Sequence, residues 1–327
     1  MEPSFLLSFF LSSAVATRWS LGMYPEFFMK LTALFLALLI TLVTLGNLCA
    51  APLKLGLLPV LNTLPLQVAV QEKLFEKHGL DVELVPFSSA MEREMAMQTG
   101  KLNGFFGDFL NVLLLAKNKV PIKMITLADP DKKYPMFGLA LRPGSHAQDI
   151  MGTSLKVGMS KATVIDLLLT RMQGLPEFSK TTFEPLEIRK LPIRFQMLVS
   201  GEIDAALLPE PLLSLARLKG CEVLVTDTRL DLPMTVIALH ASRADDFDGF
   251  TAAYLEAVRR INAHPEAYRT LMSSTCRVPK PLQADFPVFT YPASLDLPSE
   301  SELFSIQQWM LSQGMLDAMI PYSVLVP

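Results

Sequence analysis

From Leu53 onward, short apolar runs alternate with stretches whose apolar positions recur every three or four residues. That alternation predicts βα units and mainly parallel sheets. Strands are expected over 53–58, 82–87, 104–107 and 122–127, with amphipathic helices over 64–77, 90–99 and 109–117 between them. Gly79 and Gly100 stand where helices should stop, because glycine accepts the left-handed conformation there at little cost.

The pattern then repeats. The run KLGLL around Gly56 is matched by KVGMS around Gly158, and TGKLNGFFGD at Gly100 is matched by SGEIDAALLPEP at Gly201. The first pair of glycines is 44 residues apart and the second 43. Two motifs in the same order at nearly the same separation imply a structural duplication. Two extended segments, YPMFGLALRPGS (134–145) and LPMTVIALH (232–240), read as a crossing from one lobe to the other and a return. A few extended residues at two crossings suffice for a hinge. The expected division is an N-terminal extension over 1–50, a first lobe of 51–140 plus 236–327, and a second lobe of 141–235. Helical tail segments over 247–263 and 299–313 should pack back on the first lobe.

Before Leu53, Lys30 is followed by LTALFLALLITLVTL, then Gly46 and Asn47, then LCAAP. This order of positive residue, apolar run, polar break and small residues predicts a secretory signal cut after Ala50, and hence an extracytoplasmic location. Met29, directly before Lys30, offers an alternative start. The stretch 31–50 is also long enough for an uncleaved membrane anchor. A lipid-accepting cysteine normally follows a small residue, whereas Leu48 precedes Cys49.

Composition narrows the function. The net charge of -3 and the lack of Lys/Arg clusters exclude an electrostatic footprint for nucleic acid. The four histidines are scattered, and no HExxH, GxSxG or GxxxxGK[ST] pattern occurs. No metal or cofactor is implied. After export, Cys221 and Cys276 remain, as a disulfide or as two buried thiols.

In open α/β sheets ligands lie beyond the carboxyl ends of the strands. In the first lobe this selects the loop Pro59, Val60, Leu61, Asn62 and Thr63, then Ser88 and Ser89, then Gly107 and Asp108. In the second it selects Met159, Ser160, Lys161 and Thr163, then Pro209, Glu210 and Pro211. Asn62, Thr63, Ser88, Ser89 and Ser160 serve equally as helix caps. Asp108 and Glu210 follow the matching glycines by 8 and 9 residues, which would bring one carboxylate from each lobe to the cleft. Two acids and the exposed-type Lys161 lean towards a ligand with N–H donors or positive charge, an aminopyrimidine-like heterocycle or an amine, with sulfonate or nitrate left open. Phe105, Phe106 and Phe109 offer a stacking face, although at least one must point to the core. Trp309 reads as packing.

The runs LGLLPVLNTLPLQVAVQEKLFEKHGLDVELVPF, GKLNGFFGD, YPMFGLALRPGS, QDIMGTSLKVGM, SGEIDAALLPEP and SELFSIQQWMLSQGML resemble the thiamine-pyrimidine, nitrate, sulfonate and taurine group of periplasmic binding proteins, over about residues 53–315. The resemblance implies a two-lobed α/β fold of the type II binding-protein kind. It also implies a monomeric, non-enzymatic solute-binding component that serves an ABC permease and its ATPase. The same fold hosts enzymes, among them a thiamine-pyrimidine synthase and menaquinone-pathway enzymes. The synthase's cysteine-rich run is missing here, and such enzymes are normally cytosolic. An anchored ligand sensor is the third alternative.

Overall fold

Gly100 and Gly201 end their helices in the left-handed region, with φ of 69° and 79°, and each chain then turns directly into a strand. This helix-stop-strand unit recurs through a structure, a computed structural model, that describes residues 30, 32, 51–230, 232 and 234–327. The apolar run of the expected signal, its cut after Ala50 and Cys49 lie outside the described residues.

Ten strands are described: β1 (Leu53–Leu57), β2 (Val82–Pro86), β3 (Gly104–Asp108), β4 (Ile122–Leu127), β5 (Phe137–Leu141), β6 (Ser154–Met159), β7 (Thr182–Glu187), β8 (Ala205–Pro209), β9 (Val223–Thr226) and β10 (Thr235–His240). The helices between and after them are α1 (Leu64–Gln71), α2 (Leu74–Lys77), α3 (Ala90–Gln98), α4 (Phe109–Lys117), α5 (Val164–Gln173), α6 (Leu191–Val199), α7 (Leu212–Leu218), α8 (Phe247–Ala263), α9 (Arg269–Thr275), α10 (Glu300–Ser312) and α11 (Tyr322–Leu325). The single helix expected over 64–77 is two, because Lys73 takes a positive φ of 56° between α1 and α2.

The strands form two five-stranded sheets, ordered β2-β1-β3-β10-β4 and β7-β6-β8-β5-β9. In the first sheet β1 pairs parallel with β2 and β3, and β10 enters antiparallel between β3 and β4. The second sheet repeats the plan, with β5 antiparallel between β8 and β9. Each sheet is therefore mixed. The crossing strand of each lobe is inserted into the sheet it enters, β5 from Phe137 into the second and β10 from Thr235 into the first. The paired registers, Gly56 beside Phe105 and Gly158 beside Ala206, put the two glycines of the repeat at the same place in each sheet.

The crossings are pinned alike. The amides of Met234 and Thr235, entering β10, donate to Asp129 Oδ2 at 2.8 and 3.1 Å. Those of Met136 and Phe137, entering β5, donate to Asp227 Oδ1 at 3.0 and 3.1 Å. Burial raises both carboxyls, Asp227 to about 6. These two aspartates, with Tyr134 and Tyr254, line a cavity of about 500 Å³ against the crossings.

The amphipathic face of α8 places Phe250, Tyr254, Val258 and Ile261 in one core with residues of α1. α10, opened by a capping box between Ser299 and Glu302, buries Leu303, Ile306 and Met310 against α4. The tail thus closes over the first lobe, and Trp309, 9% exposed, packs there. Cys221 and Cys276 are both buried and free.

Candidate functional site

The carboxyl ends of β1, β3, β6 and β8 converge on a cavity of about 80 Å³ between the lobes. Its wall is mostly apolar, with Val60, Phe106, Phe137, Val164, Ile165 and Leu191 among the lining side chains. Two further spaces adjoin it through shared residues. One of about 90 Å³ contains Ser88, Glu210 and Arg277, and one of about 190 Å³ contains Glu94, Lys161 and Arg189.

At the back of the central cavity lies Arg93, from α3 and 1% exposed. It reaches the site because Gly56 has no side chain: a Cβ there would sit 2.9 Å from Arg93 Cγ. A Cβ on Gly107 would meet Arg93 Nη2 at 2.7 Å. The guanidinium donates through Nη1 to Phe106 O at 2.7 Å and through Nη2 to Asn111 Oδ1 at 2.5 Å. Burial lowers its pKa, while Glu94 and Asp108 hold it up. Among the described residues, Arg93 Nε and Asn111 Nδ2 are buried donors without a partner. Both residues line the cavity. Leaving a buried donor unmet costs about 1–3 kcal/mol, a cost that a partner for either atom would relieve.

The second lobe carries a counterpart. Arg194, from α6 and fully buried, passes Gly158, where a Cβ would lie 3.1 Å from its Cγ. It donates through Nη1 to Leu207 O at 3.0 Å, the equivalent of Phe106 O, and through Nε and Nη2 to Ile188 O at 3.0 and 2.7 Å. Nη2 also donates to Ser160 Oγ, whose residue lines the cavity. Burial alone pulls Arg194 down to about 9, so it remains a cation at neutral pH.

Of the residues chosen from sequence, Asn62, Ser89, Gly107, Asp108, Ser160, Thr163 and Pro209 line the central cavity. Asn62 spends its amide on Ala128 O and Thr235 Oγ1, at 3.3 and 3.0 Å. Ser89 and Thr163 cap α3 and α5. Ser88, which donates to Glu92 Oε2 at 2.8 Å, lines only the space of about 90 Å³ among these three, and exposed Lys161 only that of about 190 Å³. Thr63 and Met159 are fully buried, Thr63 donating to Val60 O at 2.7 Å and Met159 sitting in the core. Phe105 and Phe109 are likewise core residues, and Phe106 alone of the three lines the cavity.

The expected pair of carboxylates does not meet in the cavity. Phe137 pairs with Pro209 in the second lobe as Thr235 pairs with Asp108 in the first, so Pro209 is the counterpart of Asp108. Glu210 is one residue further on, past the strand end. Its carboxylate accepts from Ser214 N and Oγ at 3.0 and 2.9 Å, and Arg217 lies 3.5 Å away. Burial raises its pKa against these contacts. Asp108, 6% exposed, caps α4 in a box with Asn111, accepting from its amide at 3.0 Å. Its other oxygen accepts from Val164 N at 3.0 Å, across the cleft. Burial raises this carboxyl too. The central cavity is therefore lined by a buried cation and residues with unmet donors, and its own carboxylate, Asp108, is already engaged.

No protein-family model matches the sequence, and no curated protein matches it. Solved structures do match. The chain is similar to a ligand-binding component of an ABC-type import system from Staphylococcus aureus, solved with zinc bound, at 17% identity over 84% of this chain and 96% of that one, with a TM-score of 0.67. It is also similar to the periplasmic aliphatic sulphonate binding protein SsuA from Escherichia coli, at 17% identity over 84% and 92% of the two chains, with a TM-score of 0.66. A third is the periplasmic nitrate-binding protein NrtA from Synechocystis, at 14% identity over 84% and 83%, with a TM-score of 0.59. The fold is that of the periplasmic binding proteins.

Proposed function

We propose that this chain is the extracytoplasmic solute-binding component of an ABC-type uptake system, working without catalysis and delivering its solute to a permease driven by an ATPase partner. The observation that carries this reading is the interlobe cavity, with Arg93 Nε and Asn111 Nδ2 buried and unpartnered at its wall. Two lobes linked by crossings pinned by Asp129 and Asp227 have the layout for hinge closure on a solute. The matched import proteins from Staphylococcus aureus and Escherichia coli support the same role.

The wall chemistry favours a small solute with an apolar body and an accepting or anionic head. Arg93 and Asn111 take the head, while Phe106, Phe137 and Ile165 surround the body. A carboxylate, an alkanesulfonate or a heterocycle with a ring carbonyl has this form. An amine fits this wall less well, because Glu210 and Asp108 are occupied by protein donors, and Glu94, whose Oε1 accepts no hydrogen bond among the described residues, lines only the adjoining space.

A thermal-shift screen of the full chain tests the reading, since a ligand of the folded state raises the melting point by mass action. Carboxylates, alkanesulfonates, nitrate and carbonyl-bearing pyrimidines should include a solute that raises it. A response confined to amines would refute the wall chemistry, and no response to any class would count against the binding role.

A further inference from the structure

Asp108 stands between the first turns of two helices in different lobes. Oδ1 accepts from Asn111 N in α4, and Oδ2 accepts from Val164 N, the first residue of α5. The positive end of a ten-residue helix facing a ligand cleft is a ready place for an anion. Here the protein's own carboxylate fills it. The contact is reinforced by packing: Leu167, one turn along α5 and 2% exposed, lies in the apolar cluster of Phe109 and Leu113 from the first lobe. Among the described residues that line the cavity, those with an unmet buried donor, Arg93 at Nε and Asn111 at Nδ2, belong to the first lobe.

Resting on the binding role proposed above, we infer that Asp108 is a specificity-determining latch: it holds the lobes together through the amino terminus of α5 and denies that helix end to anionic groups of solutes. The acceptor of the solute is then read in the first lobe, by Arg93 and Asn111. Strong anions that would seat on α5 are disfavoured by the carboxylate already there.

Two variants separate this role from simple helix capping. In Asp108→Asn the side chain still caps α4, since Asn and Asp are comparable caps. Its oxygen can serve only one of the two amides, so Val164 N–H is released. In Val164→Pro the donor itself is deleted. Proline suits the first helical position, and Thr163 already has the extended φ of -132° and ψ of 173° that proline requires of the residue before it. Solution scattering on the full chain without solute should show a larger radius of gyration for both variants. Sulfate and methanesulfonate, followed by thermal shift, should bind Asp108→Asn about tenfold more tightly than the parent, as a freed helix terminus allows. Val164→Pro should show no such gain. Unchanged scattering in both variants, or an equal anion response in all three proteins, overturns the latch and leaves solute binding intact. If both variants loosen and Asp108→Asn alone gains the anions, while no screened solute binds the parent, the binding role fails and the latch stands.

Discussion

The first lobe passes Arg93 across Gly56 and sets Glu94, Asn111 and Asp108 around it; the second passes Arg194 across Gly158 and sets the carbonyls of Ile188 and Leu207 around it, with the Ser160 hydroxyl. The scaffold is shared down to the strand register, and the charge is not. Arg93 sits beside two acids, while among the described residues burial is the sole influence on Arg194. A duplicated fold has thus kept the same device twice and used it differently. In the first lobe it leaves a donor unmet on a residue that lines the cavity, and in the second it is a structural strut that reaches the cavity-lining Ser160.

Substitutions at the two arginines break this comparison most forcefully. Arg93→Met strands Glu94 and Asp108 without their cation, a loss of about 3–5 kcal/mol. Arg194→Met leaves carbonyl acceptors unmet but no acid unpaired, for about 2–3 kcal/mol. Urea unfolding of the two proteins should show the first as the less stable, and equal losses would mean that the acids contribute nothing to the difference.

The glycines sharpen it next. A methyl on Gly56 would lie 2.6 Å from Leu102 Cδ1, and one on Gly158 2.7 Å from Ile203 Cδ1. Each alanine variant should lose about 1–3 kcal/mol by overpacking. Only Gly56→Ala pushes on the arginine proposed to hold the solute, so it alone should also weaken solute binding in calorimetric titration.

The last effect concerns Glu94 and varies with pH. Burial, opposed by Arg93, raises its carboxyl from 4.5 to about 7, and Oε1 has no hydrogen-bond partner among the described residues. The folded state therefore holds this proton more tightly than the unfolded chain. Its favourable contribution is present below about pH 4.5 and lost as pH rises towards 7. Glu94→Gln should remove that slope and gain about 3 kcal/mol at pH 8, with little change at pH 4.5. Melting temperatures of both proteins across this range measure it. A parallel pH profile would show that Glu94 titrates normally.

Much of the fold was legible in the sequence because its signals are periodic and repeated. Gly56, Gly100, Gly158 and Gly201 announced the duplication, and the two crossings followed from extended runs between the repeats. The antiparallel insertion of β5 and β10 was not legible, since pairing partners depend on tertiary register. The candidate site was half legible. Loops at strand ends supplied Asn62, Ser89, Asp108, Ser160 and Thr163, yet Glu210 was equated with Asp108 by counting from the glycines. A slip of one residue along a strand reverses the side chain's direction. Arg93 and Arg194 were missed because an arginine on an amphipathic helix reads as solvated. The signal was present: each stands seven residues before the helix-stop glycine of its own repeat. A charged residue kept at the same place in both halves, facing a glycine on the neighbouring strand, marks an internal position.

The central claim is that the solute's accepting group is held by Arg93 in the cavity between the lobes. Calorimetric titration of the strongest solute from the screen against the parent chain and Arg93→Lys tests it most directly. Lysine keeps the charge and loses the forked donors. The account predicts a loss of affinity of at least about tenfold, with the cost of one unmet charged hydrogen bond, while the variant stays folded. Unchanged affinity in a folded Arg93→Lys protein would contradict it.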